Sequence, residues 1–432
     1  MMLRNLFPQR PTFKPTAIKR PSTWVIVAGL AVGLSIAGSA LGGDWPQILG
    51  PHRDGVAEKE RLADRWPADG PKTLWRRDAG MGLAGVAVAQ GRVVLFHRVA
   101  KEELLEAMDA KSGRPLWKAA FATKYRPRFN PDSGPRCVPV IHQGTVYAYG
   151  AGGNLHAVSL ADGKKLWSRA LAKEYGAEDG YFGAGSSPIV EGDKLLLNVG
   201  GDKQNAGLVA LSLKDGKTLW KATQELASYS SPVATTVGGV RHVIFLTRFS
   251  LMSIDPANGD VRFSIPFGKR GPTVNAANPV LLDDHVFVTA SYGIGSLLAK
   301  IEKRSAKIVW QNADALSSQY TTGVLHKKLL YSIDGRQDGP PGKLVCLDPM
   351  TGKTKWTKAD FGIATLILAD EKLLILKTDG QLVLAKASDD GYRELSTARV
   401  STDTCRALPA LSDGRLYVRD EKSLRCLDVG KR

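Results

Sequence analysis

The sequence has few cysteines: Cys137, Cys346, Cys405 and Cys426 are the only four in 432 residues. This scarcity excludes a small fold held together by disulfides, which needs many cysteines in a short chain. Charged residues make up 23% and apolar residues 43% of the chain. These values exclude a disordered chain and a protein with many membrane spans. The length allows one large domain or two to three ordinary ones.

Recognisable catalytic motifs are also lacking. The seven histidines never occur in pairs at metal-ligand spacing, and neither a Gly-x-Ser-x-Gly elbow nor a phosphate-binding loop is present. Two glycine-rich stretches, residues 150–153 and residues 183–185, are not followed by a helical pattern. We interpret both as hairpin turns. The sequence therefore predicts no catalytic residue and no metal site.

Acidic residues are absent before Asp44, whereas five basic residues precede a charge-free stretch over residues 24–40. Basic residues, an apolar stretch and a small-residue end (Gly38-Ser39-Ala40) are typical of a secretory signal. We predict that residues 1–43 are a signal peptide. The alternative is a single N-terminal membrane anchor, because the apolar stretch is at the short limit for a span. Both alternatives export the remainder, to the periplasm or cell envelope.

The net charge of +17 is high. Such a surface could attract anionic lipids, polyanionic glycans or nucleic acid. The lysines and arginines are scattered through turns, however, and we interpret them as a solvated basic surface. Because an exported chain does not meet nucleic acid, no nucleic-acid partner is expected.

One pattern, Ala-x-Asp-x-x-x-Gly-x-x-x-Trp, recurs seven times with some substitutions. Its first copy contains Ala107, Asp109, Gly113 and Trp117, and its last ends at Leu395. The copies are about 40–50 residues apart, and each contains four short apolar stretches separated by turn residues. Four strands per repeat are typical of a β-propeller blade. The glycine fits a tight turn with positive φ.

The ends of the chain complete one another. An eighth repeat begins at Leu408 but the chain stops at Arg432, before a Trp strand can form, while an unmatched Trp strand occurs at Thr73-Leu74-Trp75. We therefore predict an all-β, eight-bladed propeller of four-stranded antiparallel blades over residues 72–432, closed by the N-terminal strand in the last blade. Residues 44–71 are a lead-in segment. Residues 101–108 have helical spacing, but the repeat register predicts a strand there.

The last aromatic position of each repeat is predicted to pack against the neighbouring blade, because a single blade cannot bury both of its faces. These structural docking residues are Trp75, Trp117, Trp167, Trp220, Phe263, Trp310 and Trp356. Cys346 and Cys426 occupy the same position in the sixth and eighth repeats. A whole blade should separate them, so we expect buried free thiols there rather than a bond between the two. A pairing of Cys137 or Cys405 stays open.

These repeats resemble the PQQ-like, quinoprotein-type β-propeller repeats over roughly residues 72–430. The superfamily includes quinone-dependent dehydrogenases and non-enzymatic envelope propellers, the BamB-like branch of outer-membrane assembly factors. A short motif also resembles the opening of many exported propellers of this type: Trp45-Pro46-Gln47, Gly50-Pro51, Arg53 and Gly55.

The resemblance favours the BamB-like branch. The dehydrogenase branch typically has two adjacent cysteines beside the quinone and carboxylate and amide ligands for Ca²⁺, whereas the four cysteines here are far apart and no oxygen-ligand loop stands out. The resemblance therefore implies an exported protein-binding scaffold without a cofactor. Its expected partners are envelope proteins or peptides, with glycans as an alternative, and we expect a monomer. The alternative functions are a PQQ-dependent oxidoreductase and a carbohydrate-binding propeller.

Residues just before the innermost strand of each blade should surround one mouth of the central channel. By register they include Arg136, Gly185, Tyr229, Ala276 and Tyr320. Aromatic residues with an arginine around a concave opening suit recognition of a peptide or glycan. Arg136, Tyr229 and Tyr320 are therefore the candidate binding residues. The alternative is that these side chains only fill the axis.

Overall fold

Each repeat folds into one four-stranded antiparallel sheet, and eight such sheets form a β-propeller in the described part of the chain. The computed structural model describes residue 12 and residues 43–431, apart from residues 128, 130, 131, 179 and 272. The predicted fold class is confirmed. The predicted leader lies outside the described residues, except for positions 12 and 43. Among the residues described, no helix is long and apolar enough to cross a membrane.

The first four blades follow one another along the chain, each with four consecutive strands. Their strands are β2 (Ala87–Ala89), β3 (Arg92–Val99), β4 (Glu102–Asp109) and β5 (Pro115–Ala122) in blade 1; β6 (Val140–His142), β7 (Thr145–Tyr149), β8 (Asn154–Ser159) and β9 (Lys165–Ala170) in blade 2; β10 (Ile189–Glu191), β11 (Lys194–Gly201), β12 (Ala206–Ser212) and β13 (Thr218–Ala222) in blade 3; and β14 (Val233–Val237), β15 (Val240–Leu246), β16 (Ser250–Ile254) and β17 (Val261–Pro266) in blade 4. A short helix α1 (Leu171–Tyr175) and a 3₁₀ turn (Asp202–Gln204) accompany them.

The remaining four blades repeat this order, and the last one takes its fourth strand from the N-terminal end. Their strands are β18 (Val280–Leu282), β19 (His285–Ala290), β20 (Gly295–Ile301) and β21 (Ala306–Asn312) in blade 5; β22 (Val324–His326), β23 (Leu329–Asp334), β24 (Lys343–Asp348) and β25 (Lys353–Lys358) in blade 6; β26 (Ala364–Ala369), β27 (Lys372–Lys377), β28 (Gln381–Lys386) and β29 (Glu394–Arg399) in blade 7; and β30 (Ala410–Ser412), β31 (Arg415–Arg419), β32 (Ser423–Asp428) and β1 (Thr73–Asp78) in blade 8.

Blade 8 closes the ring as predicted. Strand β1 pairs antiparallel with β32, and Trp75 lies opposite Cys426. This pairing covers the edge of β32, which would otherwise present unpaired backbone groups.

Strand β4 is the stretch whose spacing suggested a helix. In the structure it pairs with both β3 and β5, with Glu103 opposite Arg98 on one side and Phe121 on the other. Backbone pairing with a strand on each side outweighs a weak local preference for helix. The prediction from the repeat register is confirmed.

Neighbouring blades are joined near the axis by polar side chains. The Ser187 backbone N–H donates to Ser231 Oγ at 2.8 Å, the Ser231 N–H to Asn278 Oδ1 at 2.8 Å, and the Asn278 N–H to Thr322 Oγ1 at 2.9 Å. These four residues precede or begin the inner strands of blades 3 to 6. Small polar residues at this position therefore satisfy buried backbone groups of the preceding blade.

Seven of the eight blades are joined to the next blade at the rim by the aromatic residue of the repeat; strand β29 of blade 7 contains no aromatic residue. The Trp117 indole N–H donates to the Leu160 carbonyl oxygen of the next blade at 2.8 Å. Its ring lies on Gly163, where a Cβ atom would approach it to 2.5 Å. The repeat glycine is thus required for two reasons, a positive φ of 73° and close contact with the ring.

The same joint recurs around the ring. Indole N–H groups donate to carbonyl oxygens of the following blade as follows: Trp75 to Ala110, Trp167 to Leu213, Trp220 to Pro256, Trp310 to Pro349 and Trp356 to Ser388. Phe263 has no such donor and is buried in the apolar cluster between blades 4 and 5. A β-bulge immediately precedes the aromatic residue, for example at Leu116 in β5. Such bulges twist an outer strand and hinder pairing with another chain.

Candidate functional site

The strand order of the blades gives the propeller two different faces. The turn between the first and second strands and the turn between the third and fourth strands lie on one face, called here the short-turn face. The turn between the second and third strands and the connection to the next blade lie on the other, the long-loop face. Connections on the long-loop face include residues 123–139, 171–188, 223–232 and 267–279. Long connections on a rigid scaffold commonly carry binding residues.

A cleft of about 340 Å³ lies on the long-loop face, among blades 2, 3 and 4. It is called here the long-loop cleft. Tyr149 lines it from the end of β7 and Ala151 from the β7–β8 turn. Tyr181 and Tyr229 line it from the connections that enter blades 3 and 4, and Arg248 lines it from the β15–β16 turn. The cleft is therefore built from segments that are distant in sequence.

A row of four aromatic rings lies at this cleft, and three of them, Phe129, Tyr181 and Tyr229, line it. Ring centroids are 5.5 Å apart for Phe129 and Tyr181, 6.3 Å for Tyr181 and Phe182, and 5.7 Å for Phe182 and Tyr229. These separations are within the range of favourable aromatic contacts. Phe129 is 67% exposed at the outer end of the row. A contiguous aromatic surface with an exposed end is typical of a protein-binding site.

Glycines allow the connection of residues 171–188 to pass close over the cleft wall. A Cβ atom at Gly185 would lie 2.3 Å from Tyr229 Cδ1, and one at Gly183 would lie 2.5 Å from the Ala151 carbonyl oxygen. Gly183 also has a φ of +78°. The stretch 183–185 was predicted to be a hairpin turn, which is wrong: it lies in the connection between blades 2 and 3, where close backbone approach requires glycine. The stretch 150–153 does lie in the β7–β8 hairpin turn.

Arginine and tyrosine side chains share contacts at the rim of the cleft. The Arg248 guanidinium lies 5.9 Å from the Tyr181 ring and 5.1 Å from the Phe249 ring. Arg248 Nη2 donates to the Gly271 carbonyl oxygen at 2.7 Å, and Tyr181 Oη donates to the same oxygen at 3.1 Å. A cation over aromatic faces is an attractive arrangement. The rim therefore combines positive charge with aromatic surface.

The predicted binding residues lie in different environments. Tyr229 lines the cleft, and its Oη accepts a hydrogen bond from the Phe182 N–H at 2.7 Å; burial raises the pKa of Tyr229 to about 12, so the phenol is neutral. Arg136 does not line the cleft but is near enough to Tyr229 for its charge to oppose the rise in the Tyr229 pKa, and it donates to the carbonyl oxygens of Asp132 and Gly134.

Tyr320 lies apart from these two residues. It packs against the apolar cluster of blades 6 and 7, and burial raises its pKa to about 12. The structure thus brings Arg136 and Tyr229 together and places Tyr320 elsewhere. Sequence reasoning missed Phe129, Tyr181 and Arg248. The available signal was the presence of aromatic residues in long glycine-rich connections.

The lead-in segment spans the short-turn face. Trp45 forms a bridge with Val88 of blade 1, Val56 one with Leu368 of blade 7, and Leu62 one with Gly430 beyond β32. Trp45 and Leu62 are almost fully buried, at 2% and 0% exposure. The segment therefore braces the first blade against the last two.

A larger axial cavity, of about 880 Å³, lies beneath this segment on the short-turn face. Arg53 of the lead-in motif reaches its wall and donates to the carbonyl oxygens of Ser187 and Pro188 at 3.0 and 2.8 Å. Burial lowers the pKa of Arg53 to about 9. Gly50 has a φ of +83°, and a Cβ atom there would lie 2.9 Å from the Trp45 ring. These contacts explain why the lead-in motif contains Trp45, Gly50 and Arg53, because each of them fixes the segment in place on the short-turn face.

The residues present do not fit the quinone and Ca²⁺ of the dehydrogenase branch. All four cysteines are buried, free and far apart in sequence. Burial raises the pKa of Cys346 to about 11 and that of Cys405 to about 12, so neither is a reactive thiolate. Within the described ranges, no group of three or more His, Cys, Asp or Glu side chains could hold a metal ion.

Comparison with known proteins identifies relatives of this chain. It is 24% identical over 305 residues to the outer membrane protein assembly factor BamB of Salmonella typhimurium, covering 66% of this chain and 71% of that protein. The crystal structure of BamB from Moraxella catarrhalis superposes with a TM-score of 0.59 at 14% identity, covering 84% of this chain and 98% of that one.

An enzyme of the same fold is equally similar in shape. The quinohemoprotein alcohol dehydrogenase from Comamonas testosteroni superposes with a TM-score of 0.61 at 13% identity, covering 90% of this chain and 81% of that one. At such identities these likenesses to solved structures show the fold and not the function. The family comparison is more specific: the model of the family described as outer membrane protein assembly factor BamB matches residues 100–358, more than half of the sequence. This chain therefore belongs to the BamB family of β-propellers.

Proposed function

We propose that this chain is an exported scaffold of the cell envelope that binds proteins involved in outer-membrane assembly, and that it binds them through the long-loop cleft. Family membership and the names of the relatives support the biological setting. The predicted leader, residues 1–43, supports export, whether it is cleaved or kept as an anchor. The observation that carries the choice of site is the row of aromatic rings from Phe129 to Tyr229.

The cleft has the properties expected of a protein-binding surface. Aromatic residues and arginine are enriched in protein interfaces because they provide large contact areas together with polar groups. Phe129, Tyr181 and Arg248 combine these features on one concave surface. By contrast, the indole N–H groups of the rim tryptophans already donate to carbonyl oxygens of the next blade. These tryptophans are therefore proposed to be structural and not to contact a partner.

Site-specific photo-crosslinking in the native envelope tests this proposal. A photo-reactive amino acid is placed at position 129, on the long-loop face, in the full chain. Position 350 is the matched control, because Met350 is also a large apolar side chain, is 41% exposed, and lies on the short-turn face. We expect adducts with outer-membrane assembly proteins from position 129 and not from position 350.

Two results would contradict the proposal. Equal adduct patterns from both positions would mean that the contacts are non-specific. Absence of protein adducts from position 129, while the full-length chain is folded and exported, would mean that this face does not bind an envelope protein. Identification of the adducts by mass spectrometry decides between these outcomes.

A further inference from the structure

A buried carboxyl group lies beneath the long-loop cleft, at the joint between blades 1 and 2. Glu103 of β4 is only 1% exposed. Its Oε1 accepts a hydrogen bond from the Ala151 N–H at 2.9 Å. A Cβ atom at Gly150 would lie 2.1 Å from Glu103 Oε2, so the carboxyl group is pressed against the backbone of the β7–β8 turn. Ala151 is itself part of the cleft wall.

The two backbone groups of Ala151 connect Glu103 to the loop that carries Tyr181 and Phe182. While the Ala151 N–H is bound to Glu103, the Ala151 carbonyl oxygen accepts a hydrogen bond from the Ala184 N–H at 2.8 Å. Ala184 follows Tyr181 and Phe182 in the connection between blades 2 and 3. A movement of the β7–β8 turn away from Glu103 would therefore release an anchor of this loop.

Two arginines near Glu103 form hydrogen bonds with a second loop of the cleft, the connection of residues 123–139. Arg98 and Arg136 both face the carboxyl group and favour its ionised form. Arg98 donates to the carbonyl oxygens of Tyr125 and Ser133, and Arg136 to those of Asp132 and Gly134. All four acceptors belong to the connection that carries Phe129. A further titratable neighbour is the buried Cys137 thiol, whose pKa is raised by burial and also by Glu103.

The environment of Glu103 makes its charge sensitive to pH near neutrality. Burial is the dominant effect and raises the pKa of Glu103 from the ordinary 4.5 to about 7, against the opposing effects of the Ala151 hydrogen bond and of the two arginines. Any state in which water reaches this carboxyl group has a pKa close to the ordinary value. The open state therefore binds fewer protons than the closed state between these two pKa values, and a rise in pH favours opening.

We propose that Glu103 is a pH-responsive positioning residue, whose buried carboxyl group controls whether the joint beneath the long-loop cleft is closed or open. The neutral acid fits the closed joint, because a buried uncharged group has little desolvation cost. The carboxylate favours the open joint, in which water hydrates it. This inference concerns the regulation of the proposed binding site and thus rests on the proposed function.

Hydrogen exchange of the full chain, read by mass spectrometry, tests the proposal without a partner. Protection factors are corrected for the intrinsic effect of pH and followed over residues 150–153 and 180–185. We expect them to fall roughly tenfold between about pH 6 and about pH 8, as the two pKa values require for an opening equilibrium. Glu103→Gln should give a flat profile, because its amide keeps an acceptor for the Ala151 N–H but cannot ionise.

Two further variants keep the test decisive. Glu102→Gln removes an exposed neighbouring carboxylate and should leave the wild-type profile unchanged. Arg136→Gln removes a cation that lowers the pKa of Glu103, so the midpoint should move to higher pH even if Glu103→Gln does not fold. The proposal is overturned by a flat wild-type profile, by a wild-type profile in Glu103→Gln, or by an unchanged midpoint in Arg136→Gln.

The same variants separate this inference from the proposed function. If the proposal holds, crosslinking from position 129 changes with pH in the wild type and not in Glu103→Gln. Crosslinks to envelope proteins together with a flat exchange profile would overturn the role of Glu103 and leave the scaffold function intact. A pH-dependent exchange profile without any crosslinks would overturn the scaffold function alone.

Discussion

This propeller has two sets of aromatic residues, which differ in their position in the fold, in their recurrence along the chain and in what their rings contact. The rim set, represented by Trp167, recurs in seven of the eight blades; Trp167 lies on Gly216 of the next blade and donates its indole N–H to the Leu213 carbonyl oxygen there. The cleft set, represented by Phe129 and Tyr181, occurs once, in long connections, and ends in an exposed ring. The comparison shows that repetition indicates a structural role, whereas a departure from repetition indicates a candidate binding role.

The largest expected effect comes from removing the segment that completes the ring. Deletion of residues 44–78 removes the brace, with buried Trp45 and Leu62, and strand β1 with Trp75. The edge of β32 and the rim joint to blade 1 would then be uncovered, so we expect loss of cooperative unfolding and concentration-dependent aggregation. Thermal unfolding monitored by circular dichroism and light scattering checks this. A deletion variant that melts like the parent would show that ring closure does not contribute to stability.

The next effect separates the two aromatic sets directly. Trp167→Ala and Trp220→Ala should each lower the free energy of unfolding by about 3 kcal/mol, toward the lower end of the range for large aromatics because both side chains are partly exposed. Phe129→Ala should change it by less than about 0.5 kcal/mol, as expected for an exposed side chain. Denaturant unfolding measures all three variants. A tryptophan variant as stable as the wild type would remove the proposed docking role.

A glycine pair tests the rim joint from its other side. Gly216 and Gly192 have similar positive φ values, +70° and +61°, but only Gly216 lies under a tryptophan, where a Cβ would be 2.7 Å from the Trp167 ring. Gly192→Ala should cost about 1 kcal/mol for backbone strain. Gly216→Ala should cost about 1–3 kcal/mol more, because the Trp167 ring must also move. Equal losses in denaturant unfolding would contradict the packing explanation.

Tyr181→Ala should have a small effect on stability and a large effect on binding. Tyr181→Ala removes the ring that contacts both Phe129 and Phe182 and lies beside the Arg248 guanidinium. Its unfolding free energy should fall by about 1 kcal/mol or less, since Tyr181 is in a partly exposed connection. Crosslinking from position 129 to envelope proteins should fall severalfold, as expected for an interface aromatic. Unchanged crosslinking would place the binding surface outside the aromatic row.

The repeat pattern predicted the fold in detail. The spacing of Gly113 and Trp117 in the first repeat, and of their equivalents, located every blade and correctly made residues 101–108 a strand. The unmatched Trp75 strand predicted which blade the N-terminal end would complete. These predictions succeeded because turns and strand pairing impose the same local requirements in each repeat, and seven copies reinforce one weak signal.

The candidate site was only partly predictable. Tyr229 was found because it has a register position just before an inner strand, but Tyr320, which has the same register position, packs into the core of blades 6 and 7. Phe129 and Tyr181 belong to connections without repeat register, so nothing in their local sequence shows that they meet. The glycines at 183 and 185 looked like turn residues because turns and close backbone approach both favour glycine.

The order of residues along the chain was thus sufficient for the number of blades, the strand register and the closure of the ring, because these depend on short patterns that recur. Only the folded ring decides which side chains share the long-loop cleft, because segments that are tens of residues apart meet there after the blades have packed. The tertiary structure also determines the pKa of Glu103. Glu103 directly follows the exposed Glu102 in the sequence, but it is only 1% exposed because the β7–β8 turn of the next blade covers its carboxyl group. This burial is what raises the pKa of Glu103.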